Sequence, residues 1–240
     1  MKGIIFAGGQ GTRLRPLTKI INKHLLPVGK EPMLYNPIRK MIEAGIHDIL
    51  IITNKKDIDD IKNLLKNEGE FEANFIYQIQ EESIGTANAL SLGEKFADNQ
   101  KILIIYGDNI TTASLANHTK EFINQKKGAL LLLKEVKDPE RFGVATVKND
   151  TITEIEEKPK NPKSNLAITG YLMYNPDVFD IAKSLKLSVR GEYEMTDIYQ
   201  EYMKNGELKY KILDKEWVDA GTFESLAEAT QILLKEENAS

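Results

Sequence analysis

Four unbroken apolar runs along the first part of the chain constrain its fold more than any other feature. They lie at residues 4–6 (IIF), 49–52 (ILII), 102–105 (ILII) and 130–133 (LLLL). A strand covered on both faces shows such a run, whereas a half-exposed strand alternates apolar and polar residues. Amphipathic helical patterns separate the runs. This strand–helix rhythm predicts an α/β fold with a Rossmann-like, mostly parallel sheet sandwiched by helices.

The remaining segments follow from periodicity and turn residues. The first helix is expected to end at Gly45, a residue type that commonly caps helices. From about 142 to 174 the strands shorten, which predicts a β-rich insertion over the sheet. A strand pair is expected at 208–213 and 216–219. The other predicted elements are a strand at 74–78 and helices at 33–44, 57–66, 85–97, 114–126, 176–185 and 194–205, and from about 222.

Composition excludes several classes of protein. The chain has 240 residues, a net charge of −4 and no cysteine. An acidic chain argues against general nucleic-acid binding, and the lack of cysteine excludes disulfides, thiolate catalysis and cysteine metal sites. The first strand begins almost at Met1, so we expect no signal peptide, and no apolar run reaches membrane-spanning length. We expect one cytoplasmic domain, 1–240, with no membrane partner.

The first strand runs into a glycine-rich loop, AGGQGTRLRP, which suggests an anion site. A dinucleotide fingerprint requires a third glycine, but Leu14 stands there, and no acidic residue ends the second strand. A P-loop also fails, because the pair Gly29–Lys30 is followed by Glu31 and lacks the preceding glycine. The third reading is a loop whose backbone N–H groups line a nucleotide, with the Arg13 guanidinium on its phosphates. Its nucleotide-binding residues are Ala7, Gly8, Gly9, Gly11, Thr12 and Arg13.

The motif GGQGTRLRPLT, followed by Lys23 and Pro27, resembles the signature of the sugar-nucleotide pyrophosphorylases, which are nucleotidyltransferases. The resemblance continues in the family's order over nearly the whole chain, through GDNI, DPERFGVA, EEKPKNPKSN, ITGYLMY, RGEYEMTDI and WVDAGT. The EEKP…KSN and RGEYEMTDI stretches indicate its thymidylyltransferase branch. The resemblance implies the fold of nucleotide-diphospho-sugar transferases, with a nucleotide-binding part at about 1–135 and a sugar-binding part at about 136–222.

The implied reaction joins a sugar 1-phosphate to a nucleoside triphosphate by in-line attack on the α-phosphorus, with release of pyrophosphate. Such a reaction needs positioning and charge neutralisation more than a protein nucleophile. Asp108 follows a buried strand and is a candidate Mg²⁺ ligand, since Mg²⁺ takes one or two carboxylates plus substrate phosphates. The resemblance supplies Asp219 as the second ligand. It also places Arg13 and Lys23 on the phosphates, and the expected catalytic residues are Arg13, Lys23, Asp108, Lys158 and Asp219.

The resemblance assigns the base to Gln80 and Gly85. A glutamine amide offers one donor and one acceptor, which match the edge of thymine or uracil but cannot sense the 5-methyl group. The sequence Gly85-Thr86-Ala87 also occurs in relatives that use other nucleotides, so UTP stays open beside dTTP. For the sugar phosphate, the resemblance indicates Lys23, Asn109, Gly143, Glu157, Lys158, Thr169 and Arg190. Phe142 stands where the family often has tyrosine.

We therefore expect an Mg²⁺-dependent enzyme that makes dTDP-glucose from dTTP and glucose 1-phosphate. Two alternatives stay open: the same chemistry with UTP or another sugar, and a catalytically silent nucleotide-sugar-binding subunit. The sequence leaves open whether the chain forms a homo-oligomer. Longer thymidylyltransferases have an additional C-terminal helical segment, so we also expect weaker feedback by dTDP-rhamnose at a second site.

Overall fold

The structure is a computed structural model that describes residues 1–66, 70–82 and 84–239. Ser83, within the expected base-reading stretch, lies outside the described residues. The described strands are β1 Lys2–Phe6, β2 Pro27–Val28, β3 Glu31–Pro32, β4 Asp48–Thr53, β5 Asn74–Ile79, β6 Ile102–Tyr106, β7 Asn109–Thr111, β8 Ala129–Glu135, β9 Gly143–Lys148, β10 Thr151–Glu157, β11 Leu166–Tyr174, β12 Leu208–Ile212 and β13 Trp217–Asp219. The described α-helices are α1 Tyr35–Glu43, α2 Ile58–Leu65, α3 Thr86–Ser91, α4 Glu94–Ala97, α5 Ala116–Asn124, α6 Val178–Ser184, α7 Met195–Lys204 and α8 Phe223–Ala239.

The chain forms two compact units, each built from separated segments. The first, which we call the loop unit, comprises Lys2–Ser83, Ile105–Asn117 and Lys215–Ser240. The second, the insertion unit, comprises Met1, Ile84–Ile104 and His118–Asp214. The expectation of a single domain over 1–240 stays a prediction.

In the loop unit, β1, β4 and β5 form a parallel ladder with β4 in the middle. The side chains of β4 from Ile49 onward are buried, in keeping with the unbroken apolar run. The helix α1 ends at Glu43, and Gly45, whose φ is 74°, forms the predicted cap after it. The N–H of Ile46 bonds the carbonyl of Met41, and the N–H of Gly45 bonds that of Ile42, which is the Schellman pattern. This cap turns the chain back into β4.

A second ladder in the loop unit pairs β7 with β13 antiparallel, in the register Asn109↔Asp219. A small core supports it, in which Ile110 and Val218 pack with residues of the β2–β3 turn and of α8. Because these apolar side chains fix the ladder, they also fix the polar residues at its end. The described members of this core are Val28, Met33, Ile110, Val218, Ala220 and Ala229, with Leu226, Ile232 and Leu233 packed against them.

The insertion unit contains the predicted β-rich segment. The strand β11 pairs antiparallel with β8 and with β9, and β9 pairs antiparallel with β10. The sheet of the protein is therefore mixed, and the α/β class with a β-rich insertion is confirmed.

Two local predictions were wrong. The strands β12 and β13 do not pair with each other: β12 lies parallel to β8, and β13 pairs with β7. Their closeness in sequence suggests a hairpin, but β12 pairs with the longer strand β8 and β13 pairs with the buried strand β7. The predicted helix at 85–97 is two short helices, α3 and α4, which are separated at Leu92 and Gly93. Among the described residues, no helix is long and apolar enough to cross a membrane.

Candidate active site

Side chains from the surrounding loop unit hold the glycine loop, residues 7–11, through its carbonyl groups. The four donors reach three carbonyl groups, those of Ala7, Gly8 and Gly11, so the backbone is fixed at both ends of the loop. The hydrogen bonds run from Asn22 Nδ2 (3.2 Å) and Thr53 Oγ1 (3.0 Å) to the Ala7 oxygen, from Asn54 Nδ2 to the Gly8 oxygen (2.6 Å), and from Thr18 Oγ1 to the Gly11 oxygen (2.6 Å).

The N–H of Ala7 bonds the Ile52 carbonyl at 2.7 Å, but the other backbone N–H groups of the loop are not used in this way. Among the described residues, none accepts a hydrogen bond from the N–H groups of residues 8–11. Thr12 begins a short 3₁₀ turn after the loop and is exposed. A run of N–H groups without protein acceptors, in a backbone held by its carbonyls, is an arrangement that binds anions. The predicted anion loop therefore has the donors that it needs.

Close neighbours explain three of the loop glycines. A Cβ on Gly9 would lie 3.2 Å from the Nζ of Lys23, and a Cβ on Gly8 would lie 3.0 Å from the Oε1 of Gln80. Gly11 has a φ of 59°, and a Cβ there would meet Thr18 at 2.8 Å. The loop is thus shaped to admit Lys23 on one side and Gln80 on the other.

Lys23 and Asp108 form a buried ion pair, with side chains only 12% and 10% exposed. Burial raises the pKa of the Asp108 carboxyl, but the charge of Lys23, the nearby His24 and the hydrogen bonds from Lys23 and Asn109 outweigh it. The net result is a pKa well below the ordinary range, so Asp108 is ionised at neutral pH. The predicted phosphate-binding cation and the predicted metal ligand are therefore direct neighbours.

Asp219 lies beside Asp108 because of the β7–β13 ladder. Asp219 is paired with Asn109, the residue after Asp108, and the N–H of Ala220 bonds the Asp108 carbonyl at 2.8 Å. Two carboxylates from distant parts of the sequence are thereby held at one end of a ladder. This confirms that Asp108 and Asp219 are neighbours, while their metal-binding role stays a prediction.

Arg13 extends towards the same carboxylates. Its Nη2 lies 3.7 Å from the Oδ1 of Asp219, and its side chain is 56% exposed. A Cβ on Gly221 would lie 2.4 Å from that nitrogen, so glycine at this position allows the guanidinium to approach without a shift. The N–H of Gly221 also bonds Asp219 Oδ1 at 3.0 Å. Gly221 was quoted in the WVDAGT motif but given no role, and its role is visible only in the fold.

Asn109 was predicted to bind the sugar phosphate, but its side chain is buried and engaged within the loop unit. Its Oδ1 accepts a hydrogen bond from Trp217 Nε1 at 2.8 Å, and its Nδ2 donates to Asp108 Oδ1 at 3.1 Å. The Asn109 amide therefore links the two groups, so the Trp217 indole helps to hold the Asp108 carboxylate in its orientation. This geometry favours a positioning role over the predicted direct contact.

His24 is buried beside the ion pair. Its Nδ1 lies 2.7 Å from Asn22 Oδ1, so the proton sits on Nδ1 and the imidazole is neutral. Burial, together with the charge of Lys23, lowers the pKa of His24 to about 3. A Cβ on Gly107 would lie 2.7 Å from the imidazole, which explains the glycine before Asp108. His24 is thus a structural support for the Lys23–Asp108 pair.

The donor set of this site fits a hard divalent cation. Its two carboxylates are oxygen ligands of the kind that Mg²⁺ prefers, with the remaining positions left to water and substrate phosphates. The described part of the chain contains no cluster of three or more histidine, aspartate or glutamate side chains, so an all-protein cage is absent from it. The residues suit a cation that arrives with a nucleotide.

In the insertion unit, Glu157 is the centre of a second polar cluster. Thr196 Oγ1 donates a hydrogen bond to Glu157 Oε2 at 2.9 Å, while the charged nitrogens of Arg190 and Lys158 lie 3.6 Å and 3.7 Å from Oε1. Gly143 is the register partner of Glu157, and a Cβ there would lie 3.2 Å from Oε2. Four of the predicted sugar-site residues are therefore neighbours, and Thr196 joins them.

Lys158 has a φ of 45°, a left-handed conformation that is uncommon outside glycine, asparagine and aspartate. Its N–H bonds the Phe142 carbonyl at 2.9 Å, which fixes the turn after β10. Such conformations concentrate at binding sites because the surroundings must hold them in place. The side chain itself is 52% exposed.

Thr169 and Gly85 have local structural reasons for their identity. Thr169 donates its hydroxyl to the Leu132 carbonyl at 2.7 Å, which leaves its backbone for the predicted ligand contact. Gly85 has a φ of 111°, and a Cβ there would lie 2.3 Å from the Tyr193 oxygen. The N–H of Tyr193 also bonds the Ile84 carbonyl at 2.8 Å. Gly85 is required by this packing whether or not it reads a base.

Sequence reasoning gave no role to Thr196, Asn22 or Asn54. Thr196 lies inside the RGEYEMTDI stretch, so the motif carried a signal, but a hydroxyl has no assignable partner until the fold is known. Asn22 and Asn54 lie in segments outside the helices and strands. Their roles as loop-holding donors depend on which carbonyls they reach.

Comparison with known proteins agrees with this geometry. The nucleotidyl transferase family model matches residues 2–236. A glucose-1-phosphate thymidylyltransferase of Neisseria meningitidis serogroup A / serotype 4A is 41% identical over 242 residues, which cover 99% of this chain and 84% of the relative. Among solved structures, a Bacillus anthracis protein assigned as a glucose-1-phosphate thymidylyltransferase, in complex with a sucrose, is 49% identical with a TM-score of 0.93, covering 96% and 94% of the two chains.

A more distant structure, a UDP-glucose pyrophosphorylase complexed with UDP-glucose, has 25% identity and a TM-score of 0.85, and the match covers 98% of this chain and 99% of that one. The fold is therefore shared by proteins named for different nucleotides. Since the family model spans nearly the whole chain and a relative matches it at 41% identity over almost its full length, the chain belongs to the nucleotidyl transferase family.

Proposed function

We propose that the protein transfers a thymidylyl group from dTTP to glucose 1-phosphate, which yields dTDP-glucose and pyrophosphate. The observation that carries the chemistry is the meeting of Asp108 and Asp219 with Lys23 and Arg13 beside a loop of free N–H groups. The names of the relatives support the choice of substrates.

In this proposal the loop unit binds the triphosphate. The N–H groups of residues 8–11 and the guanidinium of Arg13 hold the β- and γ-phosphates, which become the leaving group. Lys23 lies at the α-phosphate, where charge builds up in the transition state. Preorganised charges of this kind contribute on the order of 10²–10³ in rate each.

Asp108 and Asp219 would hold Mg²⁺ with the phosphates of the nucleotide. A bound Mg²⁺ would neutralise phosphate charge and favour the departure of pyrophosphate. The low pKa of Asp108 keeps this ligand ionised over the working pH range. The amide of Asn109 and the indole of Trp217 keep the carboxylate oriented.

Glu157 and Lys158 are the proposed sugar-phosphate residues. Thr196 fixes one oxygen of the Glu157 carboxylate by a hydrogen bond, and the missing side chain of Gly143 leaves room beside it, so lone pairs remain for sugar hydroxyls. Lys158 and Arg190 are cations that suit the phosphate of the sugar. No residue acts as a nucleophile, because the sugar phosphate oxygen itself attacks the α-phosphorus in line with the leaving pyrophosphate.

A second candidate is the same reaction with UTP. Gln80 offers an amide that pairs equally with thymine and uracil, and the distant structural relative is named for UDP-glucose. A silent binding subunit is less well supported, because Arg13, Lys23, Asp108, Lys158 and Asp219 are all present.

Pyrophosphate release tests the proposal directly. The purified protein is offered Mg²⁺, glucose 1-phosphate and each of dTTP, UTP, ATP, GTP and CTP, and then other sugar 1-phosphates with the preferred nucleotide. The Asp108→Asn variant serves as the control for contaminating activity. A preference for dTTP supports the first candidate and a preference for UTP the second. The absence of turnover with every pair, in a folded protein, would reject both.

A further inference from the structure

We propose that the loop unit carries a second anion site, separate from Arg13 and Lys23, which binds an oligophosphate. The site is a cleft of about 770 Å³, which is within the range of small-molecule pockets. Neither Arg13 nor Lys23 lines it. Its described lining is Gln10, Arg15, Thr18, Lys19, Asn54, Lys55, Lys56, Gln80 and Glu81.

The first argument is charge. The lining contains four cations, Arg15, Lys19, Lys55 and Lys56, against the single carboxylate of Glu81, although the chain as a whole has a net charge of −4. A cleft lined by one sign of charge concentrates the field and attracts counter-ions. Two or three linked phosphates carry several negative charges near neutral pH, so their charge matches the net positive charge of the lining.

The second argument is the shortage of internal partners. In the described ranges, no carboxylate lies within ion-pairing distance of Arg15, Lys19 or Lys55. Lys56 has one such contact, at 3.9 Å from Asp57 Oδ1. By contrast, the active-site cations Arg13 and Lys23 each face a carboxylate. Four like charges in one cleft repel each other, and an anion would remove that repulsion.

The third argument is the polar character of the lining side chains. The described lining has no aromatic and no aliphatic side chain: it consists of cations, amides, a hydroxyl and one carboxylate. Nucleobases are usually held by stacking or apolar contact. The cleft therefore favours phosphate groups, which its cations can bind, and it shares Gln80, the predicted base-reading residue, with the nucleotide site.

Two lining residues also hold the glycine loop. Asn54 bonds the Gly8 carbonyl and Thr18 bonds the Gly11 carbonyl, each at 2.6 Å. An anion bound between them lies against the same backbone that offers its N–H groups to the active site. The cleft is thus a neighbour of the nucleotide loop, while its charges belong to a different set of side chains.

Isothermal titration calorimetry with sodium pyrophosphate, in EDTA to exclude metal effects, tests this proposal. The variant K19Q/K55Q should weaken binding at the cleft about tenfold, because it removes two of the four cations of the lining. The variant K148Q/K209Q is the matched control: it removes the same charge from exposed lysines of the insertion unit. The variant R13Q weakens the active site and should keep the cleft signal.

The titration is repeated with ATP and with adenosine to separate the two sources of phosphate. Pyrophosphate and ATP should bind with similar affinity, and adenosine should not bind. Unchanged binding in K19Q/K55Q would overturn the proposal. So would an equal loss in the control, which indicates general charge attraction, or a complete loss in R13Q, which indicates a single site. Binding of ATP and adenosine without pyrophosphate would show that the cleft recognises a base instead.

Discussion

The two units hold their charged clusters in different ways. The phosphate cluster, Arg13, Lys23, Asp108 and Asp219, contains a buried ion pair that surrounding hydrogen bonds fix. In the sugar cluster, Glu157, Lys158, Arg190 and Thr196, the buried Thr196 donates one hydrogen bond, but the ion pairs are 3.6–3.7 Å long and join side chains that are 28%, 42% and 52% exposed. Buried and fixed charges suit a step that every substrate shares, whereas looser contacts suit a part of the site that selects among sugars.

The difference has an energetic basis. Exposed ion pairs contribute about 0–1 kcal/mol, because water screens them and the side chains lose entropy. Breaking a buried pair by removing one partner costs several kcal/mol, since the remaining charge is left unsatisfied. We therefore expect changes in the phosphate cluster to affect turnover most, and changes in the sugar cluster to affect mainly the affinity for the sugar phosphate.

The largest effect is expected for Asp108→Asn. This change keeps the shape of the side chain but removes its charge, so kcat should fall on the order of 10²–10³, the cost of losing one preorganised charge. Pyrophosphate release at saturating Mg²⁺ measures it. The control is Asp59→Asn on the exposed face of α2, which should leave kcat unchanged. A kcat close to wild type in Asp108→Asn would remove Asp108 from the reaction.

A pH-dependent loss of stability is the next largest effect. His24 has a pKa of about 3 in the folded protein and an ordinary value of 6.5 when unfolded, so only the unfolded chain binds this proton between those pH values. The free energy of unfolding should therefore fall as the pH drops below 6.5, by up to about 1.4 kcal/mol per pH unit for this group. The low pKa of Asp108 contributes mainly below its ordinary value of 3.8, whereas burial also lowers the pKa of His118, which contributes in the same direction over pH 4–6.5.

Denaturant unfolding of the His24→Gln variant over pH 4–6.5 measures this contribution. The variant has no imidazole at this position, so its stability should change less with pH than that of the wild type. His47→Gln, at an exposed histidine of the same unit, should keep the wild-type slope. Equal slopes in wild type and His24→Gln would mean that His24 does not stay neutral in the folded protein.

A smaller effect is expected in the sugar cluster. Thr196→Val removes the hydroxyl that bonds Glu157 Oε2 and keeps the branched shape. Hydrogen bonds to charged groups contribute about 1.5–3 kcal/mol, so the KM for glucose 1-phosphate should rise about tenfold or more, with a smaller change in kcat. Thr196→Ser retains the hydroxyl and should restore most of the affinity. A loss of kcat with an unchanged KM would place Thr196 in the chemical step instead.

Most of the α/β fold could be predicted from the sequence, because strands buried on both faces leave unbroken apolar runs. The strand pair 208–213 and 216–219 could not be placed, because short and half-exposed strands carry no signal that names their partner. For the site, the position of Asp108 after a buried strand marked it as a ligand. Asp219 was identified only through the family resemblance, because the β7–β13 register, and not the spacing in the sequence, brings it beside Asp108.

The smallest predicted effect concerns Gln80. Its side chain is buried beside the position where Gly8 lacks a Cβ, so a base bound there meets its amide. A neutral hydrogen bond contributes about 0.5–1.5 kcal/mol, so Gln80→Ala should raise the KM for the nucleotide about two- to tenfold and leave the KM for glucose 1-phosphate unchanged. Gln78→Ala, at an exposed position of the preceding strand β5, is the control. Because the amide pairs equally with thymine and uracil, dTTP and UTP should lose affinity in parallel; a loss confined to one of them would make Gln80 the residue that separates the two candidate functions.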